Sequence, residues 1–320
     1  MASIKILKPI QEDPSDYDRM EDKILENWKI NLYLPLIKLI DAPTNVLQNS
    51  SDDIVKAIKD GRIRFNKGQF TGRFNSLVTR EMKKIGAVWD RKQGSFKIPY
   101  GKLSTGMKTA ISLSEDKWNR TIDKLDKLIS AMSPAKIAEK VQIEDLFNTT
   151  LLKMDEKIRG SMRAMTVTPE LSRVDRAKIA KDYTNNMKLY IQEWTQKEIK
   201  TLRKEVMVAA QGGNRYETLV KDIQRRYQVS QSKAKFLARQ ETSILMSEFK
   251  KVRYQAAGVE EYIWGVVVGS AKSPVRPMHK KLEGRTFRWD DPPVVNGKGD
   301  KKNPGCDYGC RCFAKPIVKF

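Results

Sequence analysis

The chain has a single histidine, His279, and three cysteines, Cys306, Cys310 and Cys312, all between positions 279 and 312 of 320 residues. Their spacing is H-x26-C-x3-C-x-C. One imidazole and three thiolates form a Cys3His set, the ligand combination that suits tetrahedral zinc. The C-x-C element crowds two ligands closer than the usual C-x2-C knuckle does. Three states fit these residues: a zinc site on His279, Cys306, Cys310 and Cys312, three reduced thiols packed as small apolar groups, or one disulfide with a thiol left over. No cofactor other than zinc is implied.

A loop joins the histidine to the cysteines. The stretch "DDPPVVNGKGDKKNPG" is rich in Pro, Gly, Asp and Lys and has few apolar residues with which to hold itself together. Something at its ends must offset the entropy of closing it, and the cysteines are the obvious candidates. Upstream, "VEEYIWGVVVG" is a β-branched and aromatic run that reads as a strand.

The rest of the chain reads mainly as helix. Residues 15–40 carry Met20, Ile24, Leu25, Trp28, Leu32 and Leu36 at helical spacing, with Ser15 as expected N-cap and Pro35 expected to bend or end the helix. "DAPTNVLQNSS" reads as a linker, followed by a short helix at 52–60. Residues 61–100 read as a small α+β module: a strand "RIRF", a turn at Asn66–Gly68, a helix over about 73–85 closed by Gly86, and a hairpin in "AVWDRKQGSFKIP". The module's helix is expected to bury Phe74, Leu77, Val78 and Met82 and to expose Arg73, Arg80, Lys83 and Lys84. From 104 to about 257 the pattern is helical, with Leu171, Val174, Tyr183, Met187, Tyr190, Trp194, Leu202 and Val206 in one stripe. "QGGN" at 211–214 breaks it. A shorter helix follows, then one capped by Ser230 and ended by Gly258. These helices are expected to stack as antiparallel hairpins or a bundle.

The fold class expected is therefore α+β: a mainly helical body of long antiparallel helices, a small basic α+β module near 61–100, and a small irregular α+β domain at the C-terminus. Four segments are expected: 1–50, an amphipathic helix and linker; 51–102, the basic module; 103–229, the helical region; and 230–320, the C-terminal domain.

Charge bears on partners. The formal net charge is +22, from 61 Lys plus Arg against 39 Asp plus Glu. It is unevenly placed: residues 1–60 hold 8 basic and 11 acidic residues, whereas residues 61–110 hold 12 and 2. Such a field favours polyanions, nucleic acid above all, through phosphate neutralisation and counterion release. The exposed Arg73, Arg80, Lys83 and Lys84 are the candidate phosphate contacts, and an ordinary solvated helix face fits them equally. Zinc-finger, homeodomain and basic-zipper patterns that would place side chains at base edges are absent from the sequence. The acidic segment 15–40 is expected to meet a protein partner instead of DNA. Apolar runs of membrane-spanning length and a signal-peptide pattern are also absent, so a soluble protein made in the cytoplasm, without membrane association, is expected. G-x-S-x-G, Walker A, H-E-x-x-H and dinucleotide-binding patterns do not occur, and "ARQETS" reads as a polar helix rim. The chain reads as a non-enzyme.

Residues from about 235 to 316 resemble the phage Mu F-like head morphogenesis family, minor capsid proteins of tailed phages. The resemblance rests on Arg239, Glu241 and Thr242 in an "AR-x-E-T" helix, and on Tyr254, Gly258, Val259, Tyr262 and Trp264 up to the end of the strand. It continues through Val275, Arg276, Pro277, His279, Leu282 and Gly284 in "V-R-P-x-H-x-x-L-x-G", and through Pro304, Gly305, Cys310, Arg311 and Cys312 in the closing turn and "C-R-C". It implies a virion protein inside the phage head near the portal, present in few copies. Such a protein acts in head assembly and in DNA packaging or delivery, with the portal protein or the major capsid protein and non-specific phage DNA as partners. Two other classes stand beside this reading: a purely scaffolding protein that touches no DNA, and an enzyme or toxin acting on nucleic acid.

Overall fold

The computed structural model describes residues 4–10, 12–40, 53–163, 173–212, 216–267 and 274–319. The expected linker at 41–51, Gly213 and Asn214 of the expected break, and the side chains of Leu171 and Val174 lie outside the described part.

In chain order the elements are β1 (Ile4–Ile6), α1 (Pro14–Trp28), α2 (Leu34–Ile40), α3 (Asp53–Lys59), β2 (Ile63–Asn66), β3 (Gln69–Gly72), α4 (Ser76–Lys84), β4 (Val88–Asp90) and β5 (Ser95–Lys97). Then follow α5 (Thr105–Ser130), α6 (Pro134–Glu139), α7 (Glu144–Ser161), α8 (Arg173–Gly212) and α9 (Tyr216–Ala256). The chain closes with β6 (Glu261–Gly265), α10 (Pro277–Leu282), β7 (Thr286–Arg288) and β8 (Phe313–Lys319). The α+β class with a mainly helical body is what the structure shows. No described helix is long and apolar enough to cross a membrane.

Two compact units divide the chain: residues 1–26, 138–192 and 230–320, and residues 27–137 and 193–229. Each is assembled from separated stretches, a different partition from the four contiguous segments read in the sequence.

In the second unit the sheet order is β2-β3-β5-β4, all antiparallel. Strand β3 is an addition to the expected pattern: Asn66 pairs with Gln69 across a turn whose two residues, Lys67 and Gly68, both have positive φ, as a two-residue hairpin of the twisted type demands. Helix α4 starts later than expected, because the Asn75 side chain accepts from the Val78 N–H and so caps it. Gly86, at φ +80°, ends it as expected. Val78 and Met82 are buried, but Leu77 is exposed, and Phe74 precedes the helix and packs edge-on against Trp89 and Phe96. The apolar core joins these residues to Ile54, Ala57 and Ile58 of α3 and to Met107, Ala110 and Ile111 of α5. The module thus reaches past residue 102 into the first turns of α5.

Two further expectations are corrected, at Ser15 and at Ser230. Asp13, not Ser15, opens α1, with its carboxylate accepting from the Ser15 N–H at 3.0 Å. Pro35, expected to bend or end the helix, stands in the first turn of α2, directly after an interruption of the regular α-helix. Lys29–Tyr33 form a π-turn in which the Leu34 N–H reaches back to the Lys29 carbonyl, a wider turn just where proline has no N–H to donate. Ser230 does not start a helix either. It is fully buried in the middle of α9, which runs unbroken from 216 to 256 with neither Gly nor Pro inside it.

Helix α8 buries Ala180, Thr184, Met187, Ile191, Thr195, Glu198, Leu202, Val206 and Ala209 along one face. Tyr190 lies outside this face and is exposed. Two polar members of the stripe have buried partners: the Trp28 indole donates to Thr195 Oγ1 at 3.2 Å, and Arg226 binds the Glu198 carboxylate through two nitrogens.

In the first unit the sheet order is β1-β8-β6-β7, again all antiparallel. Ile4 pairs with Lys319 and Ile6 with Ile317, so the N-terminal strand forms one edge of the C-terminal sheet. The apolar positions of segment 15–40, Met20, Ile24, Trp28, Leu32 and Leu36, are all buried.

Candidate metal centre

Strand β6 lies inside its sheet, and the site is built at its end. Tyr262 and Trp264 point to the buried side, and Trp264 pairs with Ala314 at the start of β8. Gly265 pairs with Phe313, whose ring approaches so closely that a Cβ at Gly265 would lie 2.3 Å from its Cε2. This pairing brings Cys310 and Cys312, immediately ahead of β8, to the Trp264 end of β6. Helix α10 supplies the histidine. Pro277 occupies its first turn, Leu282 is buried beneath it, and Gly284, at φ +76°, donates back to the Trp264 carbonyl. The imidazole of His279 is thereby set edge-on to the Trp264 indole, with centroids 5.8 Å apart.

At this corner His279 Nδ1 lies 3.5 Å from Cys310 Sγ and 3.4 Å from Cys312 Sγ. The Cys312 N–H also points at Cys310 Sγ, at 3.4 Å. On the far side of the ring, His279 Nε2 lies 3.4 Å from the Asp307 carboxylate without the alignment of a hydrogen bond. Asp307, itself buried, is held by Arg276 and by Lys302 at 3.1 Å. Burial opposes its charge, yet Lys302, the Tyr308 amide and Arg276 keep its carboxyl below the ordinary value. The thiol of Cys312 and the His279 ring stabilise a Cys310 thiolate, bringing its pKa down to about 4. The bond to Cys310 raises His279 in turn, and the proton retained by Cys312 is held tightly.

Of the four residues the sequence groups together, the structure joins three: His279, Cys310 and Cys312, whose ligand atoms all lie within 4.8 Å of one another. Cys306 lies apart. Its thiol faces Glu248 Oε1 on α9 at 3.5 Å, and burial pushes its pKa up to about 12. All three cysteines are free thiols in the structure.

The long loop is held by more than its cysteines. Asn303 donates to the Trp289 carbonyl at 3.2 Å, the Ser247 hydroxyl donates to the Pro304 carbonyl, and Gln240 bonds both the Asp307 carbonyl and the Gly309 N–H. These polar residues of α9 have no sequence signature, because each bonds loop backbone far along the chain. The same helix corrects the reading of "ARQETS" as a polar rim: Arg239 is exposed, but Glu241 and Thr242 are buried, and burial raises the Glu241 carboxyl to about 7. Tyr254, further along, stacks on Trp289 at 5.8 Å.

The four basic residues of the module are all exposed. Arg80 and Lys84 flank Glu81, at 3.7 and 2.8 Å.

Residues 200–315 match the family model described as "Phage Mu protein F like protein". The resemblance carried by 235–316 is borne out for this region, which contains the end of α8, all of α9, strands β6 and β7, the start of β8, the loop and the cysteine corner. An uncharacterized protein of Haemophilus influenzae is 28% identical over 113 residues, or 35% of this chain and 24% of the relative. The match thus spans about a quarter of that relative's length. No solved structure matches the chain.

Proposed function

We propose that this chain is a minor head protein of a tailed phage, held inside the head near the portal and acting in head morphogenesis and in DNA packaging or delivery. The observation that carries the reading is the match of residues 200–315 to the Mu F-like family model. The reading is of a structural protein that performs no catalytic step. Its partners are the portal protein or the major capsid protein, and phage DNA.

Contact with DNA would be non-specific. The net charge of +22 supports it, as does the exposure of Arg73, Arg80, Lys83 and Lys84 on one short helix and its approach. Glu81, beside Arg80 and Lys84, offsets part of this charge.

Mass spectrometry of purified virions from the phage encoding this chain tests the proposal. A few copies per head are expected, and disruption of the gene should yield defective or empty heads that a plasmid copy rescues. Absence from purified heads, together with normal heads in the disruptant, would overturn it. Incorporation without any DNA affinity of the purified protein would reduce it to a scaffolding role.

A further inference from the structure

We infer that His279, Cys310 and Cys312 form a zinc site with three protein ligands and a fourth position open to water. In a tetrahedral site with Zn–S of about 2.3 Å and Zn–N of about 2.0–2.1 Å, the nitrogen and each sulfur stand about 3.6 Å apart. His279 Nδ1 lies 3.5 and 3.4 Å from the two sulfurs, close to that tetrahedral edge for both pairs at once. Both nitrogen–sulfur edges already have that length and all three ligand atoms lie within 4.8 Å of one another, so binding requires only small shifts.

The surroundings suit a metal. His279 is 2% exposed, and its other nitrogen, buried without a hydrogen-bond partner, is turned toward the Asp307 carboxylate. With Nδ1 on the metal, the remaining proton sits on Nε2, facing that carboxylate; an outer carboxylate of this kind orients the ring of a metal-bound histidine. Two thiolates balance the charge of the dication, so the buried site is neutral once two thiol protons have left to solvent. A small cavity of about 50 Å³, lined in part by His279, Cys310, Cys312, Arg276 and Val267, adjoins the ligands. It has room for a water at the fourth corner. Cys306, turned to Glu248, is not a ligand. The site does not depend on the phage-head reading.

The full-length protein, purified without chelator, is expected to carry about one zinc per chain. Stripped protein titrated with cobalt should develop the intense visible bands of a tetrahedral thiolate complex, a readout that needs no variant. Cys306→Ser should keep the metal, whereas Cys310→Ser, Cys312→Ser and His279→Ala should each lose it. Native protein should resist alkylation at Cys310 and Cys312 until a chelator is added. Folded wild-type protein that binds neither zinc nor cobalt overturns the inference, as does a Cys310–Cys312 disulfide in freshly isolated protein. Loss of metal from Cys306→Ser would overturn the three-ligand assignment.

Discussion

Asp155 on α7 binds Arg253 on α9 where neither reaches solvent: Arg253 is 0% exposed and Asp155 2%. Arg159, at 2.9 Å, and Arg176, at 3.9 Å, approach the other oxygen of the same carboxylate. A single buried carboxylate therefore ties three arginines from three helices.

Removing one member of this group strands charge in the interior. Asp155→Ala should cost about 3–5 kcal/mol, whereas the double variant Asp155→Leu with Arg253→Met should recover most of that loss. Urea unfolding of the two variants compares them, and equal stabilities would show that the pair is not coupled as the geometry implies.

Glu241 gives the first unit a pH dependence. Its carboxyl rises from 4.5 to about 7 in the folded chain, so the folded form holds this proton more tightly than the unfolded form does. Its contribution is fully present below pH 4.5, declines as pH rises, and is lost above about pH 7. Glu241→Gln should remove this slope and make the protein more stable at pH 8, by an amount on the order of 3 kcal/mol, with little change at pH 4.5. Denaturation curves at the two pH values measure it.

Trp28 links the N-terminal segment to α8. Its ring lies 3.9 Å from that of Trp194, and its indole N–H bonds Thr195. Trp28→Ala should destabilise by about 3–5 kcal/mol. Deleting residues 1–45 should prevent stable folding altogether, because β1 and the buried faces of α1 and α2 leave with it. Circular dichroism of the truncated chain checks this, and a native-like melt would contradict it.

The basic module makes a salt-dependence prediction. If Arg73, Arg80, Lys83 and Lys84 each neutralise one phosphate, changing all four to Gln should reduce the slope of log affinity against log salt by about 3 to 4. The effect should be the same on duplexes of any sequence. An unchanged slope would move the DNA-contact face elsewhere.

Local pattern was enough for much of the fold. The periodicity of α1, the stops at Gly86 and Gly258, the hairpin β4–β5 and the strand β6 follow from interactions within a few residues. Glycine at φ +73° after α9 is a local necessity, legible wherever the helical pattern ends. The exposure of Arg73, Arg80, Lys83 and Lys84 was legible for the same reason.

What the sequence by itself determined was the inventory of the corner: one imidazole, three thiols and a polar loop between them. Tertiary structure decided their grouping, because ligand distance depends on how β6, β8 and α10 meet. The C-x-C pair joins His279 because both residues immediately precede β8, and β8 is registered against β6; Cys306 is drawn off by Glu248 on α9. The same holds for β1, three residues that read as nothing until Ile4 finds Lys319 at the opposite end of the chain. Glu241, Thr195, Glu198 and Ser230 look like surface residues in any window of sequence. They are buried because they lie on the packed faces of their helices, where a polar side chain breaks the apolar periodicity that marks such a face.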